Sequence, residues 1–306
     1  MPELVYHLNM DLEQISSYKR TQLLKIIPLI MSGELNAAKA AIANLKIEKT
    51  VQAQLLGLLA SRIYRDDRKT GGVLYDEAVT DSANCWLKTD QLRALGYIIE
   101  QQTGVKARQR ARVLVKQLEA IIAGLPTPGS EPASNLSQFA TCLSSIGANL
   151  FRAKFRRAGR NCFKLALNYC TRLPDRSETE YNRKVRTYGD LAKRYAEAGL
   201  FRQAVAAAKK VASRLQDGFT YENHEVERSE VFRYIAIQLA QSKKRFQAKR
   251  ILRQASRIIL NDVHNLDSVR TEGLIRIATT FQDVGFIKCA RETLHNARYL
   301  PAGTAH

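Results

Sequence analysis

Residues 187–211 read TYGDLAKRYAEAGLFRQAVAAAKKV. Tyr188, Leu191, Ala192 and Tyr195 recur at the period of an α-helix and share one face. Ala204, Ala208 and Val211 form the face of a second helix. The pattern returns as Phe232, Ile235, Ala236, Leu239, Ala248, Leu252 and Ala255. It returns again as Leu274, Ile277, Ala278, Phe281, Ala290, Leu294 and Ala297. The steps are +3, +1, +3, +9, +4 and +3 in all three copies. A weaker copy lies upstream: Leu143, Ile146, Gly147 and Leu150, then Ala158, Cys162 and Leu165, its second helix one residue nearer. The four copies start 45, 44 and 42 residues apart, which is the spacing of stacked helical hairpins. The short side chain at Ala192, Ala236 and Ala278 has a physical reason: antiparallel helices cross closely only where a side chain is small.

Upstream the pattern is looser. Ser32–Ala41 reads as the same turn and second-helix start, and Leu92, Leu95, Gly96, Ile99, Ala107 and Ala111 as a further unit. Val51–Tyr64 reads as a helix, and Arg65–Gly72 as an exposed loop. Three prolines and two glycines between Gly124 and Asn135 forbid a continuous helix there, with Ser134 or Asn135 expected to cap the next one. The expected organisation is an irregular helical part over 1–124, a linker over 125–135, regular repeats over 136–300 and a tail over 301–306. Longer connections are expected at Gln216–Val226 and Asn261–Val269. No alternating stretch demands a strand.

The repeated residues resemble the tetratricopeptide repeat (TPR), whose units place large, large, small and large residues on helix A and small ones on helix B. Ala198-Gly199-Leu200-Phe201-Arg202-Gln203-Ala204 looks like that family's turn and helix-B start. Gly285 holds the same turn position, and Lys243 replaces it in the middle unit. The resemblance implies an all-α protein, a right-handed superhelix of stacked antiparallel helix pairs (a TPR-like α-solenoid). It further implies a partner groove lined by helix-A positions, which here are Arg152, Arg186, Lys193, Arg233, Thr279 and Gln282. The asparagines of the family's carboxylate clamp are absent from these positions.

The 306 residues carry 48 Lys and Arg against 29 Asp and Glu, a formal net charge of +19. The excess is lopsided. Residues 1–150 hold 17 basic and 14 acidic side chains, whereas 151–306 hold 31 and 15. An anionic partner is therefore expected mainly on the C-terminal half. No apolar run approaches a membrane span, and the N-terminus lacks the pattern of a signal peptide. Five scattered cysteines suit a reducing compartment, and a cytoplasmic location is expected.

Catalytic and metal motifs are missing. No two of His7, His224, His264, His295 and His306 lie three or four apart, and no Cys-x-x-Cys occurs, so no metal site is expected. Lys69-Thr70-Gly71-Gly72 has the wrong order for a phosphate loop. Asp66-Asp67 and Asp76-Glu77 read as solvated acids, because sequence neighbours on a helix point to different sides. A non-enzymatic chain without cofactors is expected.

The basic clusters carry the functional signal. Residues 151–173 contain Arg152, Lys154, Arg156, Arg157, Arg160, Lys164 and Arg172 without an acid. Residues 243–257 contain Lys243, Lys244, Arg245, Lys249, Arg250, Arg253 and Arg257, also without one. Lys106, Arg108, Arg110, Arg112 and Lys116 form a third run. Bases near helix C-termini answer the helix dipole, but that does not account for acid-free runs through whole helices. Two expectations follow. One is an interaction scaffold that holds an acidic protein or peptide. The alternative is backbone-directed binding of RNA or DNA, with Phe151, Phe155, Phe163, Phe201, Tyr234 or Phe246 as stacking rings, most of them at positions that look buried.

Overall fold

The computed structural model describes residues 17–45, 48–127, 132–211, 224–261 and 267–300. Among them there are fourteen helices and no strand. They are α1 Ser17–Ser32, α2 Leu35–Ala43, α3 Lys49–Tyr64, α4 Arg68–Ala83, α5 Lys88–Gly104, α6 Arg108–Ala123, α7 Ala133–Arg152, α8 Arg156–Arg172, α9 Glu178–Glu197, α10 Phe201–Ala208, α11 His224–Gln241, α12 Arg245–Leu260, α13 Asp267–Asp283 and α14 Ile287–Arg298. The expected tail, His7, His264 and His306, and most of the two long connections lie outside the described residues.

Six of the seven hairpins turn in the same way. A residue one or two places past the end of helix A has positive φ: Gly33 (78°), Lys106 (64°), Lys154 (65°), Gly199 (75°), Lys243 (61°) and Gly285 (86°). The next residue donates its N–H to a carbonyl five positions back, as in Leu200 to Tyr195, Lys244 to Leu239 and Phe286 to Phe281, each 2.8 Å. This is the Schellman closure, which satisfies the last carbonyls of a helix. The left-handed conformation costs a residue with a Cβ about 1–2 kcal/mol, and lysine holds it three times. Replacing Lys243 with glycine is expected to raise unfolding stability by about 0.5–1 kcal/mol, net of glycine's extra chain entropy, read as an upward shift in thermal melting.

Counting five residues on from each turn gives Ala38, Ala111, Gly159, Ala204, Ala248 and Ala290. All are buried. In the seventh hairpin, α3–α4, the same place is Gly71, whose N–H bonds the Asp67 carbonyl at 3.0 Å as the others bond theirs. The buried positions four and then three residues further on complete a helix-B triplet: Ile42 and Leu45, Tyr75 and Ala78, Val115 and Leu118, Phe163 and Ala166, Ala208 and Val211, Leu252 and Ala255. The last hairpin departs from this, since Ala297 is buried but Leu294 is 46% exposed. No later helix among the described residues covers it.

This register corrects the upstream copy. Its second helix is not one residue nearer: Gly159, Phe163 and Ala166 hold the ordinary spacing from Leu150, rather than Ala158, Cys162 and Leu165. A Cβ on Gly159 would lie 2.6 Å from the Phe151 ring and 3.0 Å from the Gly147 carbonyl, so the helices touch through it. Counting back from Lys106 likewise makes the matched helix-A residues Leu95, Ile98, Ile99 and Gln102.

Of the expected loop Arg65–Gly72, only Arg65–Asp67 form an exposed turn. Arg68, Lys69 and Thr70 open α4, while Gly71 and Gly72 are buried. Asp67 caps the helix, accepting the N–H groups of Lys69 (2.9 Å) and Thr70 (3.1 Å). The Thr70 hydroxyl and these N–H groups hold its carboxyl below the usual range. Ser134 and Asn135 do not cap α7 either: they lie inside its first turn, and the Pro132 carbonyl accepts the N–H groups of Asn135 and Leu136.

The chain divides into two compact units. The first comprises the described residues up to Thr127 together with Ser145–Cys162. Within it α1, α3 and α5 pack in succession, and α2, α4 and α6 each lie against the preceding helix. The second comprises residues 132–144 and 163–300. There α9, α11 and α13 pack in succession and carry α10, α12 and α14. Helix A thus neighbours the next helix A, which is tandem hairpin packing. Ala192, Ala236 and Ala278 are 0%, 0% and 1% exposed, as close crossings require.

Candidate interaction surface

The six helix-A residues expected to line a groove meet different fates. Arg152 is held by Glu100 through Nε–Oε1 at 2.6 Å and a second contact at 3.2 Å, and it bonds the Asn149 side chain at 2.6 Å. Arg233 pairs with Glu230 at 2.8 Å and donates to the Thr280 hydroxyl at 3.3 Å. Arg186 is exposed and 3.8 Å from Glu227. It borders a pocket lined by Ser137, Thr179, Asn182, Arg183, Thr187 and Asp190. Lys193 is half-buried, and Thr279 and Gln282 are exposed. Other helix-A cations are also paired: Arg194 with Glu197, Arg228 with Glu225 and Arg276 with Glu272. Charge on this face is largely neutralised from within.

The helix-B side differs from α8 onward. Lys154, Arg156, Arg157, Arg160 and Lys164 are all exposed, and none forms an ion pair among the described residues. Their helix buries Phe163, Ala166, Tyr169 and Cys170 on the opposite face. Burial pushes the Cys170 thiol up to about 12, leaving it uncharged at neutral pH.

On α12 and the turn before it, Lys243, Lys244, Arg245, Arg250, Arg253 and Arg257 are exposed and Lys249 is half-buried. Four of the seven touch neutral groups. Arg245 donates to the Val284 carbonyl, Lys244 lies 4.7 Å from the centre of the Phe201 ring, Lys249 lies 5.0 Å from that of Phe286, and Arg253 reaches the Cys289 sulfur at 3.8 Å. These contacts join neighbouring hairpins but leave the positive charge uncompensated. The third run is different, because Arg110 pairs with Asp76 at 2.7 Å. Glu77 turns the other way, to Lys39 at 2.8 Å. These two acids are paired rather than merely solvated, and they do point to different sides.

Among the candidate stacking rings, Phe163 is buried, Phe151, Phe155, Phe201 and Tyr234 are partly buried, and Phe246 is 85% exposed. Among the described residues there is no group of three His, Cys, Asp or Glu side chains placed to hold a metal ion. Also among them, no helix is long and apolar enough to cross a membrane.

Each unit is an all-α set of tandem helical hairpins, and exposed cations gather on the turns and helices of α8 and α12. No protein-family model matches the chain, and no curated protein matches it. The crystal structure of Ton1535 from Thermococcus onnurineus NA1 aligns over 92% of this chain and all of that one, at 14% identity and a TM-score of 0.48. So shallow a likeness says nothing about what this chain binds.

Proposed function

We propose that this chain is a non-enzymatic, TPR-like interaction scaffold that docks an anionic macromolecule on its turns and helix-B faces. The observation that carries the reading is the contrast in pairing. Helix-A cations such as Arg152, Arg194, Arg228 and Arg233 have carboxylate partners. The exposed cations of α8 and α12 have none among the described residues. An uncompensated array of this kind attracts polyanions over a Debye length and raises their local concentration. The turn lysines add support. Lys106, Lys154 and Lys243 occupy a conformation that glycine adopts without strain, and each presents an ammonium group at a hairpin tip. The acidic-protein and nucleic-acid expectations both fall within this reading, whereas a groove lined by Arg152 and Arg233 fits it poorly. Four buried cysteines and one half-buried one, none of them in a disulfide, suit a reducing compartment such as the cytoplasm.

Two variants of equal charge change test the location. Arg157→Glu with Arg160→Glu is expected to lower the salt needed to elute the protein from immobilised heparin. Arg186→Glu with Lys193→Glu is expected to change it clearly less. The reverse order would move the binding surface to helix A. No retention of the wild type at about 50 mM salt would end the reading.

A further inference from the structure

From the exposed side of α12 we infer a single-stranded nucleic-acid site in which Phe246 stacks a base and Lys243, Arg250 and Arg257 hold the phosphates. The inference rests on the scaffold reading and names its partner. Phe246, Arg250, Arg253 and Arg257 fall at i, i+4, i+7 and i+11 and form one helical stripe about 16 Å long. All four are exposed, while Ala248, Leu252, Ala255 and Ile259 bury the opposite face. The stripe therefore owes nothing to the core. The side chains of Lys243, Arg250 and Arg257 form no hydrogen bond, ion pair or ring contact among the described residues and are exposed, so their donors are available to a ligand. Arg253 touches only a sulfur, at 3.8 Å.

Composition decides between the classes of polyanion. A protein interface needs an apolar centre, with charged residues depleted there. This stripe has one apolar residue and is otherwise arginine, the make-up of a nucleic-acid interface. So exposed a phenyl ring costs solvation and contributes nothing to phosphate binding. Among cations it offers a stacking platform, which accepts any base. Bases in a duplex are already stacked on each other and do not reach it. The unpaired strand is thus the form that uses both the ring and the charges, and its recognition is indifferent to sequence.

Fluorescence anisotropy with labelled oligothymidylate, duplex DNA of the same length and polyglutamate tests this. The wild type is expected to bind the single strand most tightly. Phe246→Ala should weaken that complex by roughly 5- to 150-fold and leave duplex binding and heparin retention unchanged, with Phe246→Trp restoring affinity. Arg250→Ala with Arg257→Ala should flatten the log–log salt slope by about 1.4, at 0.7 per phosphate contact. Because Phe246 is 85% exposed, its truncation leaves the fold intact, which circular dichroism verifies. Polyglutamate bound as tightly as the single strand, or Phe246→Ala without effect on it, would overturn the nucleic-acid site and leave an acidic-protein scaffold standing. Absence of binding to every polyanion, heparin included, would remove both.

Discussion

Gly71→Ala is expected to cost at least about 3 kcal/mol of unfolding stability, while Gly72→Ala, one residue on, is neutral or stabilising by up to about 1 kcal/mol. Both glycines are buried in the first turns of α4, and alanine is the better helix former at either place. Geometry alone separates them. A Cβ on Gly71 would stand 2.5 Å from the Tyr64 Cα and 2.6 Å from its nitrogen. Those are backbone atoms, so α3 and α4 must move apart, and Tyr75 and Ala78 behind them lose their packing. A Cβ on Gly72 would meet a terminal nitrogen of Arg110 at 3.1 Å. That is the end of a flexible side chain, and it can shift; its bond to the Gly72 carbonyl and its ion pair with Asp76 lie at the surface and are worth little. Urea denaturation of the two variants under one set of conditions reads the difference. Equal losses would show that Gly71 is not the contact on which the hairpin closes.

The same glycine shows where sequence reading stops. Gly71 belongs to a triplet, with Tyr75 and Ala78, whose spacing recurs in all seven hairpins and which is buried throughout in six of them. The regular hairpins were legible because alanine at a fixed step from a glycine turn is a local signal. At Asp66-Asp67 the helix–helix junction uses a side-chain cap in place of a left-handed residue, and the run of charges around it reads as solvated loop. At Lys106 and Lys154 lysine in the left-handed turn hides the junction in another way, since its propensity argues against that conformation, whereas the regular copy around Lys243 locates the turn there. The α8 register slipped because Ala158 and Gly159 are both small and adjacent, and only the turn geometry selects between them. The candidate surface was half legible. Acid-free runs could be read from composition. The neutralisation of Arg152 by Glu100 could not, because the partners are 52 residues apart and meet only once the helices pack. Nor could the exposure of Phe246, since the phenylalanines Phe155, Phe201 and Phe286 at neighbouring turns are all partly covered.

Arg270 is the one arginine buried in the second unit among the described residues, at 3% exposure, and it is assigned to stability rather than binding. It leads α13 into the end of α12. Its Nε reaches the Ile259 carbonyl at 3.4 Å, one terminal nitrogen reaches the Leu260 carbonyl at 3.1 Å, and the other meets Asp267 at 3.2 Å. A helix C-terminus carries about half a negative charge on its unsatisfied carbonyls, and a cation there is favourable. The guanidinium meets that need from the next hairpin, so it fastens two repeats as well as one helix end. Arg270→Met keeps most of the volume but removes every donor. It leaves the Ile259 carbonyl without this partner in a site closed to water, and a loss of about 2–4 kcal/mol is expected. Asp267 is 47% exposed and returns to solvent at little cost, so Asp267→Asn should lose less than about 1 kcal/mol. Heparin retention of Arg270→Met below its melting temperature should match the wild type, because no helix-B cation has been touched. A melt unchanged by Arg270→Met would mean that water reaches those carbonyls and that α12 and α13 are not tied through this side chain.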